Sequence, residues 1–516
     1  MNGAEQLLRT AADNGVTACF ANPGTTEMQL VAALDTERRI RPVLGLFEGV
    51  ATGAADGFGR MTGLPALTIL HLGPGLANGL ANLHNARRAH TPVVNLVGDH
   101  ATWHRDADAP LTSDIESLAR PMSTWVHTTE RADQLAADGA RAISAALAPP
   151  GGVATLIIPQ DTAWTDVDAA EPSAPIEPST RALVGPPVID DVAAALREHG
   201  ERAVVLLGAS ALRSDGLLVA ARVQAATGCR ILTQGMPARV ERGGGLPSFA
   251  SVPYFPEQAT EALAPATLMV LVGATDPVSF FGYPGQPSRP RPDSCQLLGM
   301  ATPEDDAIHA LDALATALDA PAAPVSAVER PQLPTGSTLG LSQLGAALAA
   351  LQPEGAIVVD EAITSGAAYA AMAVGAPSHD VLALTGGAIG QGLPVAVGAA
   401  VACPDRRVIA LQADGSAMYT FQALWTMARE SLDVTVVLCA NRTYRILQVE
   451  LMRAGVVEPG PAGVGLTDLG HPSIDWVQLA SGLGVMARSV DTADDLVDAL
   501  RVSLATPGPS LVEVRL

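Results

Sequence analysis

The sequence contains no lysine, so all 31 basic residues of the 516-residue chain are arginine. The absence of lysine excludes a Schiff-base nucleophile, covalently attached pyridoxal phosphate and the lysine of a phosphate-binding P-loop. Cysteine is scarce too, and the five cysteines are scattered without a CxxC pair: Cys19, Cys229, Cys295, Cys403 and Cys439. This odd, scattered set argues against a disulfide framework or a zinc site and favours a reducing, cytoplasmic compartment.

Long apolar runs and positive charge are also lacking. No stretch of about 18 apolar residues is present, and the N-terminal segment is amphipathic without the apolar core of a signal peptide. We therefore expect a soluble protein with no membrane partner. The 53 acidic residues give a net charge of -22, which disfavours unaided binding of nucleic acid or an anionic membrane. An anionic ligand would need a metal cation or backbone amides to hold it.

What is present indicates a large globular protein, with 48% hydrophobic and only 16% charged residues. At about 150 residues per domain, the length suggests about three domains. Helix-like and strand-like segments alternate in three blocks, 1–165, 189–320 and 338–516, and Pro-rich stretches at 166–188 and 320–336 look like linkers. The predicted fold class is α/β, with three doubly wound parallel-sheet domains.

The predicted elements follow from hydrophobic periodicity. The predicted strands cover 17–20, 65–70, 92–99, 203–207, 230–233, 268–272, 356–360, 407–412, 434–440 and 510–516. The predicted helices cover 4–14, 26–35 and 214–227.

The first candidate site lies where two predicted strands end. Asp414 follows the apolar run 408–411, and Asn441 follows the run 434–440, with helix-like sequence between them. In a βαβ unit such strand ends meet at the carboxyl edge of the sheet, where ligands usually bind. A carboxylate, an amide oxygen and a nearby backbone carbonyl suit Mg²⁺, which keeps its other positions for water and phosphate oxygens. The pattern predicts a diphosphate site, although Asp414-Gly415 alone would also fit a simple turn.

This compound pattern resembles the signature of thiamine diphosphate (ThDP) enzymes, which is GDG followed one helix and one strand later by NN. Here residues 413–415 are ADG and residues 440–441 are AN, so two motif positions differ while both ligand-bearing ones remain. The resemblance implies that the metal is bound by Asp414, Asn441 and the backbone carbonyl of Thr443. It also implies diphosphate contacts from Gly415, Ser416 and Thr364.

The resemblance extends over the whole chain. Four more segments are similar, in the expected order, to the benzoylformate decarboxylase and acetolactate synthase-like enzymes of that family: 20–28, 46–60, 71–86 and 386–394. The resemblance implies a pyrimidine-binding domain at 1–165, a middle domain at 189–320 and a diphosphate-binding domain at 338–516. It further implies ThDP and Mg²⁺ as cofactors, a 2-oxo acid as substrate, and a homodimer or homotetramer with active sites at the dimer interface.

Glu48 is the first candidate for catalysis. It lies in the apolar stretch 45–57, where a carboxylate is expensive to bury unless it meets a partner. By resemblance it would hydrogen-bond the aminopyrimidine ring and promote removal of the thiazolium C2 proton. An acid at a helix N-terminus would also be favoured by the helix dipole, but the surrounding GAADG pattern favours the catalytic role.

Two residues of the segment 386–389 are candidates for shaping the cofactor. Ile389 matches the bulky residue that holds ThDP in its bent form, and the carbonyl of Gly387 would accept from the exocyclic amine. Apart from the resemblance, an isoleucine in an apolar segment is usually a core residue.

His71 and Thr25 match active-site residues of the benzoylformate decarboxylases. His71 follows the strand 65–70 and precedes a predicted Gly-rich turn, and histidine is suited to proton transfer near neutral pH. Taken alone, a histidine in this place would more often be structural. Thr25 could hydrogen-bond a substrate carboxylate. His100 and His104 have the spacing of a metal pair, but a solvent-facing loop is the better interpretation.

One departure from that subgroup bears on the reaction. Its members carry a second active-site histidine just before a PGQ step in the middle domain, and here Phe280 occupies that place. Phenylalanine cannot donate a proton, so we predict poor decarboxylation of aromatic 2-oxo acids and better carboligation. The alternative is that His100 or Tyr283 replaces the missing histidine.

Three functions remain open from the sequence. The first is an acetolactate synthase-like ThDP lyase or carboligase. The second is a true FAD-containing acetolactate synthase, although 268–300 lacks a recognisable arginine-bearing FAD stretch. The third is a catalytically inactive ThDP-fold regulatory or scaffold protein, against which the joint retention of Glu48, Asp414 and Asn441 weighs. The acyl donor, the acceptor and the choice between dimer and tetramer are also left open.

Overall fold

The computed structural model describes residues 1–168, 179–323 and 329–516. The predicted linkers 166–188 and 320–336 therefore lie partly outside the described residues. The described chain forms two compact units. The larger unit contains the described residues of Met1–Pro178, Pro331–Ala373 and Leu382–Leu516, and the smaller those of Ser179–Arg330 and Val374–Val381.

The first part of the larger unit is a parallel sheet covered by helices. In chain order its elements are α1 (Gly3–Asp13), β1 (Ala18–Asn22), α2 (Met28–Thr36), β2 (Arg41–Leu44), α3 (Glu48–Thr62), β3 (Ala66–Leu70), α4 (Leu72–Ala89), β4 (Val93–Asp99), α5 (Ile115–Ala119), β5 (Trp125–Thr128), α6 (Leu135–Leu147), β6 (Val153–Pro159) and α7 (Gln160–Trp164). The strand order is β2-β1-β3-β4-β6-β5. Strands β3 and β6 are buried along their whole length because helices cover both faces, which is why they are continuous apolar runs.

The smaller unit contains the second parallel sheet. Its elements are α8 (Pro186–His199), β7 (Ala203–Leu207), α9 (Ser214–Thr227), β8 (Arg230–Thr233), β9 (Val240–Arg242), β10 (Ala250–Ser251), α10 (Pro256–Leu263), β11 (Leu268–Val272), β12 (Gln296–Ala301) and α11 (Ala307–Ala317). The strand order is β10-β8-β7-β11-β12. Strand β9 pairs antiparallel with residues 379–381 of the same unit.

The third sheet occupies the last part of the chain. Its elements are α12 (Leu341–Leu351), β13 (Ala356–Glu361), α13 (Gly366–Met372), β14 (His379–Ala383), α14 (Gly392–Ala402), β15 (Val408–Ala413), α15 (Asp414–Ala417), α16 (Ala423–Arg429), β16 (Val434–Ala440), α17 (Arg445–Arg453), α18 (Pro461–Gly465), α19 (Trp476–Gly482), β17 (Met486–Val490), α20 (Ala493–Ala505) and β18 (Ser510–Arg515). Within the larger unit the order is β17-β18-β16-β15-β13, and all these pairs are parallel.

The predicted α/β class with three parallel sheets is confirmed, and each predicted strand lies within one or two residues of an observed one. Two local predictions are wrong. Two short helices, α15 and α16, replace the single helix expected between Asp414 and Asn441. The expected Gly-rich turn after His71 is the first part of helix α4.

Close packing between helices α3 and α14 explains the glycines at their contact. A Cβ at Gly57 of α3 would lie 2.2 Å from the backbone oxygen of Val395, and a Cβ at Gly398 would lie 1.8 Å from that of Ala54. Helices α3 and α14 therefore touch backbone to backbone, and the first and third sheets share one hydrophobic core. No helix in the described part of the chain is long and apolar enough to cross a membrane.

Candidate active site

The ends of strands β15 and β16 bring Asp414 next to residues 441–443. The two strands are parallel and in register, with Ala413 opposite Cys439, so both strands end at the same edge of the sheet. The Asp414 carboxylate accepts hydrogen bonds from the backbone N–H of Gly415, at 2.8 Å to Oδ1, and of Arg442, at 2.7 Å to Oδ2. The predicted meeting of these strand ends is therefore observed.

Asp414 is a buried acid with a pKa above its ordinary value. Its side chain is only 3% exposed, and burial is the main cause of the raised pKa, while the two backbone N–H donors oppose it. No basic side chain pairs with it in the described part of the chain. A divalent cation would supply the missing positive charge.

The neighbouring oxygens are of the kind that a hard cation prefers. The Asn441 side-chain oxygen accepts from the backbone N–H of Thr443 at 3.0 Å, and the Thr443 hydroxyl donates to the Thr467 carbonyl at 2.8 Å. With the Asp414 carboxylate these residues offer a carboxylate, an amide oxygen and a backbone carbonyl, and this donor set fits Mg²⁺ better than a transition metal. No cluster of three or more His, Cys, Asp or Glu side chains with metal-binding geometry occurs among the described residues.

The residues predicted to contact diphosphate surround the same strand ends. Gly415 and Ser416 are buried in the first turn of α15. The Ser416 hydroxyl is engaged within the protein, because it accepts from Gln412 Nε2 at 2.8 Å and lies 3.2 Å from the Ala413 carbonyl. Thr364 is half-buried in the turn after β13, next to Ile363 with a left-handed φ of 52°.

Glu48 and His71 lie together at the first turn of α4. A Cβ at Gly75 would be 3.1 Å from Glu48 Oε1 and 3.3 Å from His71 Cβ, so the glycine leaves room for both side chains. Glu48 is the first residue of α3, is 9% exposed, and accepts a 3.0 Å hydrogen bond from Asn78 Nδ2. The structure thus brings both predicted catalytic residues close to Gly75 in the first turn of α4.

A buried carboxylate orients His71. His71 Nδ1 lies 2.8 Å from Glu27 Oε2, and the same oxygen accepts from the backbone N–H of Gly24 at 2.7 Å. The other oxygen of Glu27 accepts from the hydroxyl of Thr26. Glu27 is fully buried, and it fits only because residue 98 is glycine, whose Cβ would lie 1.7 Å from Glu27 Oε1. An ionised Glu27 accepts from Nδ1–H, so that Nε2 of His71 is left as the atom that can exchange a proton.

Glu27 was not among the predicted site residues, whereas Thr25 was. Thr25 is exposed at the start of the short 3₁₀ helix Thr25–Glu27, and the neighbouring Thr26 is the threonine that approaches His71, at 3.4 Å from Nδ1. The sequence signal for Glu27 was its position shortly after the Asn-Pro-Gly segment 22–24. The sequence did not indicate that His71 is the partner of Glu27.

The segment 386–392 is held by side chains of α4. The Asn85 side chain hydrogen-bonds both backbone groups of Ala388: it donates to the carbonyl at 2.8 Å and accepts from the N–H at 3.2 Å. Asn82 Nδ2 donates to the Gly390 carbonyl at 3.3 Å, and His84 Nε2 lies 3.1 Å from the Gly386 carbonyl. These contacts fix the backbone on both sides of Gly387 and Ile389. The three-residue spacing of Asn82 and Asn85, which places them on one face of a helix, was the sequence signal for this role.

The candidate site has two halves, Glu48 with His71 and Asp414 with Asn441. No hydrogen bond among the described residues links Glu48 or His71 to Asp414 or Asn441. Each half is nevertheless held by its own hydrogen bonds.

Two further sequence candidates lie elsewhere. His100 and His104 follow β4 in a loop, with their rings in an edge-to-face contact at 5.5 Å, and they do not form a helical metal pair. In the smaller unit Phe280 is 42% exposed and lies in an aromatic group with Tyr254, at 5.3 Å, and Phe281, at 5.0 Å.

Comparison with known proteins relates this arrangement to characterised families. Residues 1–136 match the model of the thiamine pyrophosphate enzyme N-terminal TPP binding domain, and residues 364–514 match that of the C-terminal TPP binding domain. A Mycobacterium tuberculosis protein named "Putative acetolactate synthase large subunit IlvX" is 50% identical over 519 aligned residues, covering 100% of this chain and 99% of its own. The benzoylformate decarboxylase of Pseudomonas aeruginosa is 30% identical, covering 97% of this chain and 96% of its own.

A solved structure shows the same fold over the whole chain. The thiamine diphosphate-dependent 4-hydroxybenzoylformate decarboxylase of Rhodococcus jostii superimposes with a TM-score of 0.88 at 26% identity, and the alignment covers 100% of this chain and 99% of that one.

Proposed function

The chain belongs to the family of thiamine pyrophosphate enzymes, and on that premise we propose that it is a ThDP- and Mg²⁺-dependent lyase or carboligase acting on a 2-oxo acid. The observation that carries the proposal is the oxygen set at the ends of β15 and β16, where the buried Asp414 carboxylate has no basic partner among the described residues. Such a carboxylate is costly to bury alone, and a cation with bound diphosphate would offset that cost.

Asp414, Asn441 and the carbonyl of Thr443 would hold Mg²⁺, while Gly415, Ser416 and Thr364 would contact the diphosphate. Bound ThDP would supply an acidic carbon that serves as nucleophile and a ring system that accepts the electrons left by CO₂. In this scheme residues 1–165 form the pyrimidine-binding domain, residues 189–320 the middle domain and residues 338–516 the diphosphate-binding domain.

Glu48 would hydrogen-bond the pyrimidine ring and help to move the proton from the thiazolium carbon. Its position supports this role, because it is nearly buried at the start of α3 and Asn78 fixes one of its oxygens at 3.0 Å. The Gly387 carbonyl would accept from the exocyclic amine, and the Ile389 side chain would hold the bent form of the cofactor.

His71 would exchange a proton with the substrate oxygen through Nε2, since Nδ1 faces Glu27 at 2.8 Å. The buried carboxylate keeps one ring orientation available for that transfer. Thr25, which is exposed two residues before Glu27, would hydrogen-bond the substrate carboxylate.

We further propose that the active form is a homodimer or homotetramer in the cytoplasm. No hydrogen bond joins Glu48 to the Asp414 side of the site within the described residues of one chain, and in the proposed form a second chain completes each site. Cys19, Cys229, Cys295 and Cys439 form no disulfide among the described residues, which suits a reducing compartment. The 50% identity to a protein named for acetolactate synthase favours carboligation as the main reaction.

The test is a panel of 2-oxo acids, assayed for CO₂ release with ThDP and Mg²⁺, with and without an aldehyde or a second 2-oxo acid as acceptor. We expect CO₂ release that depends on both cofactors, and a ligation product when an acceptor is present. Flavin absorbance in the purified protein would identify the FAD-containing acetolactate synthase instead. If no substrate releases CO₂ and ThDP with Mg²⁺ gives no stabilisation, the protein is the inactive scaffold.

A further inference from the structure

Residues 386–392 carry the Gly387 carbonyl and the Ile389 side chain, which the proposed function places at the pyrimidine ring. Before Gly392 these residues form neither helix nor strand. Four of the seven residues are glycine, and Gly387 and Gly390 have left-handed φ values of 75° and 95°. A segment this rich in glycine loses much conformational entropy when it becomes ordered, so external contacts must select its conformation. Asn85 supplies such contacts from α4.

Glu361 supplies the opposing contacts, from the end of strand β13. Its carboxylate is only 1% exposed. Oε1 accepts from the backbone N–H of Gly390 at 2.8 Å and of Gln391 at 3.1 Å. Oε2 accepts from the backbone N–H of Gly392 at 2.7 Å and from Gln412 Nε2 at 2.8 Å.

This arrangement is built for a carboxylate and for no other side chain. Each oxygen faces two N–H donors, so a protonated acid or an amide would set a donor against a donor. The three backbone donors stand where α14 begins at Gly392, and a helix N-terminus leaves its first N–H groups without intrahelical partners and favours negative charge there. The pKa of Glu361 is raised, with burial as the main cause, while the four donors act in the opposite direction.

We propose that Glu361 is a positioning residue of the cofactor site, which fixes the backbone just after Ile389 and so holds the Gly387 carbonyl and the Ile389 side chain at the pyrimidine ring. This inference rests on the proposed function. Glu361 itself would touch neither the substrate nor the cofactor. Its loss should therefore slow removal of the C2 proton much more than it weakens the anchoring of diphosphate at Asp414.

The test compares Glu361→Gln with a matched control, Ser503→Ala. Ser503 lies on α20 in the same compact unit, is also buried, and bonds the hydroxyls of Thr435 and Ser510. The control thus loses buried hydrogen bonds without touching residues 386–392. Two quantities are measured: amide hydrogen exchange of the 386–394 peptide in cofactor-free protein, and hydrogen-deuterium exchange at C2 of ThDP at saturating ThDP and Mg²⁺.

For Glu361→Gln we expect faster amide exchange in that peptide and a roughly 10²-fold slower C2 exchange, since a misplacement of about 1 Å can cost that much. ThDP affinity should change by less than about tenfold, because the metal ligands are untouched. The control should match the parent in both quantities. C2 exchange in Glu361→Gln within twofold of the parent, or an equal loss in Ser503→Ala, would overturn the inference.

Two further results separate this inference from the proposed function. If the parent neither binds ThDP nor exchanges its C2 proton, the proposed function fails first. If Glu361→Gln does not fold, Glu361→Asp replaces it, since it keeps the charge but is one methylene too short to reach all four donors. The same loss of C2 exchange is expected in that variant, and a parent-like rate would again overturn the inference.

Discussion

The buried carboxylate of Asp414 allows a quantitative prediction for Asp414→Asn. The substitution preserves shape but removes the charge that would bind Mg²⁺. In the free protein it has two opposing effects, because a buried charge disappears while the new amide sets a donor against the N–H of Gly415 or Arg442. The shift in melting temperature on cofactor binding is therefore the quantity to compare, rather than the melting temperature of the free protein.

The expected size follows from ligand linkage. At about 100 times its dissociation constant, ThDP with Mg²⁺ should stabilise the parent by about 2.7 kcal/mol. With an unfolding entropy of about 2.1 cal/mol/K per residue, the 516 residues give about 1.1 kcal/mol/K if they unfold together, so the parent should gain about 2.5 °C. If loss of the Asp414 carboxylate weakens cofactor binding about 100-fold, the stabilisation falls to about 0.4 kcal/mol. The shift in melting temperature then falls below about 0.5 °C.

The assay is scanning calorimetry of cofactor-free protein, with and without ThDP and Mg²⁺ at one fixed concentration. Asp433→Asn is the matched control, because Asp433 precedes the other end of β16 and also accepts a backbone N–H, from Gly508 at 2.6 Å. This control should keep the parent's shift. A parent-sized shift in Asp414→Asn would refute the assignment of Asp414 as a metal ligand.

Three further predictions concern charge, catalysis and product. Burial raises the pKa of Asp414 above its ordinary 3.8. Between 3.8 and the raised pKa of the folded state, the folded protein holds a proton that the unfolded chain releases. The group's contribution to the stability of cofactor-free protein therefore falls as pH rises through this window, and stabilisation by ThDP with Mg²⁺, which needs the carboxylate, grows. Glu48→Gln should leave folding and cofactor binding intact but slow C2 hydrogen-deuterium exchange by about 10²- to 10⁴-fold. Phe280→His should restore a proton donor and shift products from ligation toward free aldehyde, as measured with one donor and one acceptor.

Each of these predictions has its own check. The pH effect should vanish in Asp414→Asn, and a cofactor-induced shift that stays constant across the acid range would contradict it. Equal C2 exchange rates in Glu48→Gln and the parent, at saturating cofactor, would remove Glu48 from the mechanism. For Phe280, the neighbouring Phe281→His is the control, since Phe281 is also exposed and aromatic. An unchanged product ratio in Phe280→His would show that the missing histidine does not control the outcome.

Much of the fold could be read from local patterns. A parallel strand covered on both faces must be apolar throughout, so runs such as 356–360 and 434–440 mark the strands directly. Because parallel strands end at one edge of the sheet, the first polar residue after each run already locates the ligand side, which is why Asp414 and Asn441 were found together. Strands with exposed or half-buried positions, such as β2 and β5, carry no such run and were not predicted.

The glycines after His71 were wrongly predicted to form a turn, whereas they lie in helix α4. Taken locally, they indicate a turn, because glycine is unfavourable inside a helix. In the folded chain Gly75 lies inside α4 and makes room for Glu48 and His71, with a Cβ that would be 3.1 Å from the Glu48 carboxylate. Only the packing of α4 against its neighbours converts a turn signal into a helix.

The sequence by itself determined the α/β class, the order of the strands along the chain and the residue types at the strand ends, because these depend on periodicity and on neighbours in sequence. The tertiary structure alone decided the partners: Glu27 for His71, Asn85 for Ala388 and Glu361 for the N–H groups of residues 390–392. A buried carboxylate or amide must find donors or acceptors, but its chemistry does not specify which ones. That choice is made when α3, α4 and α14 pack and bring together groups that are far apart in sequence, such as Asn82 and Gly390, which are separated by 308 positions.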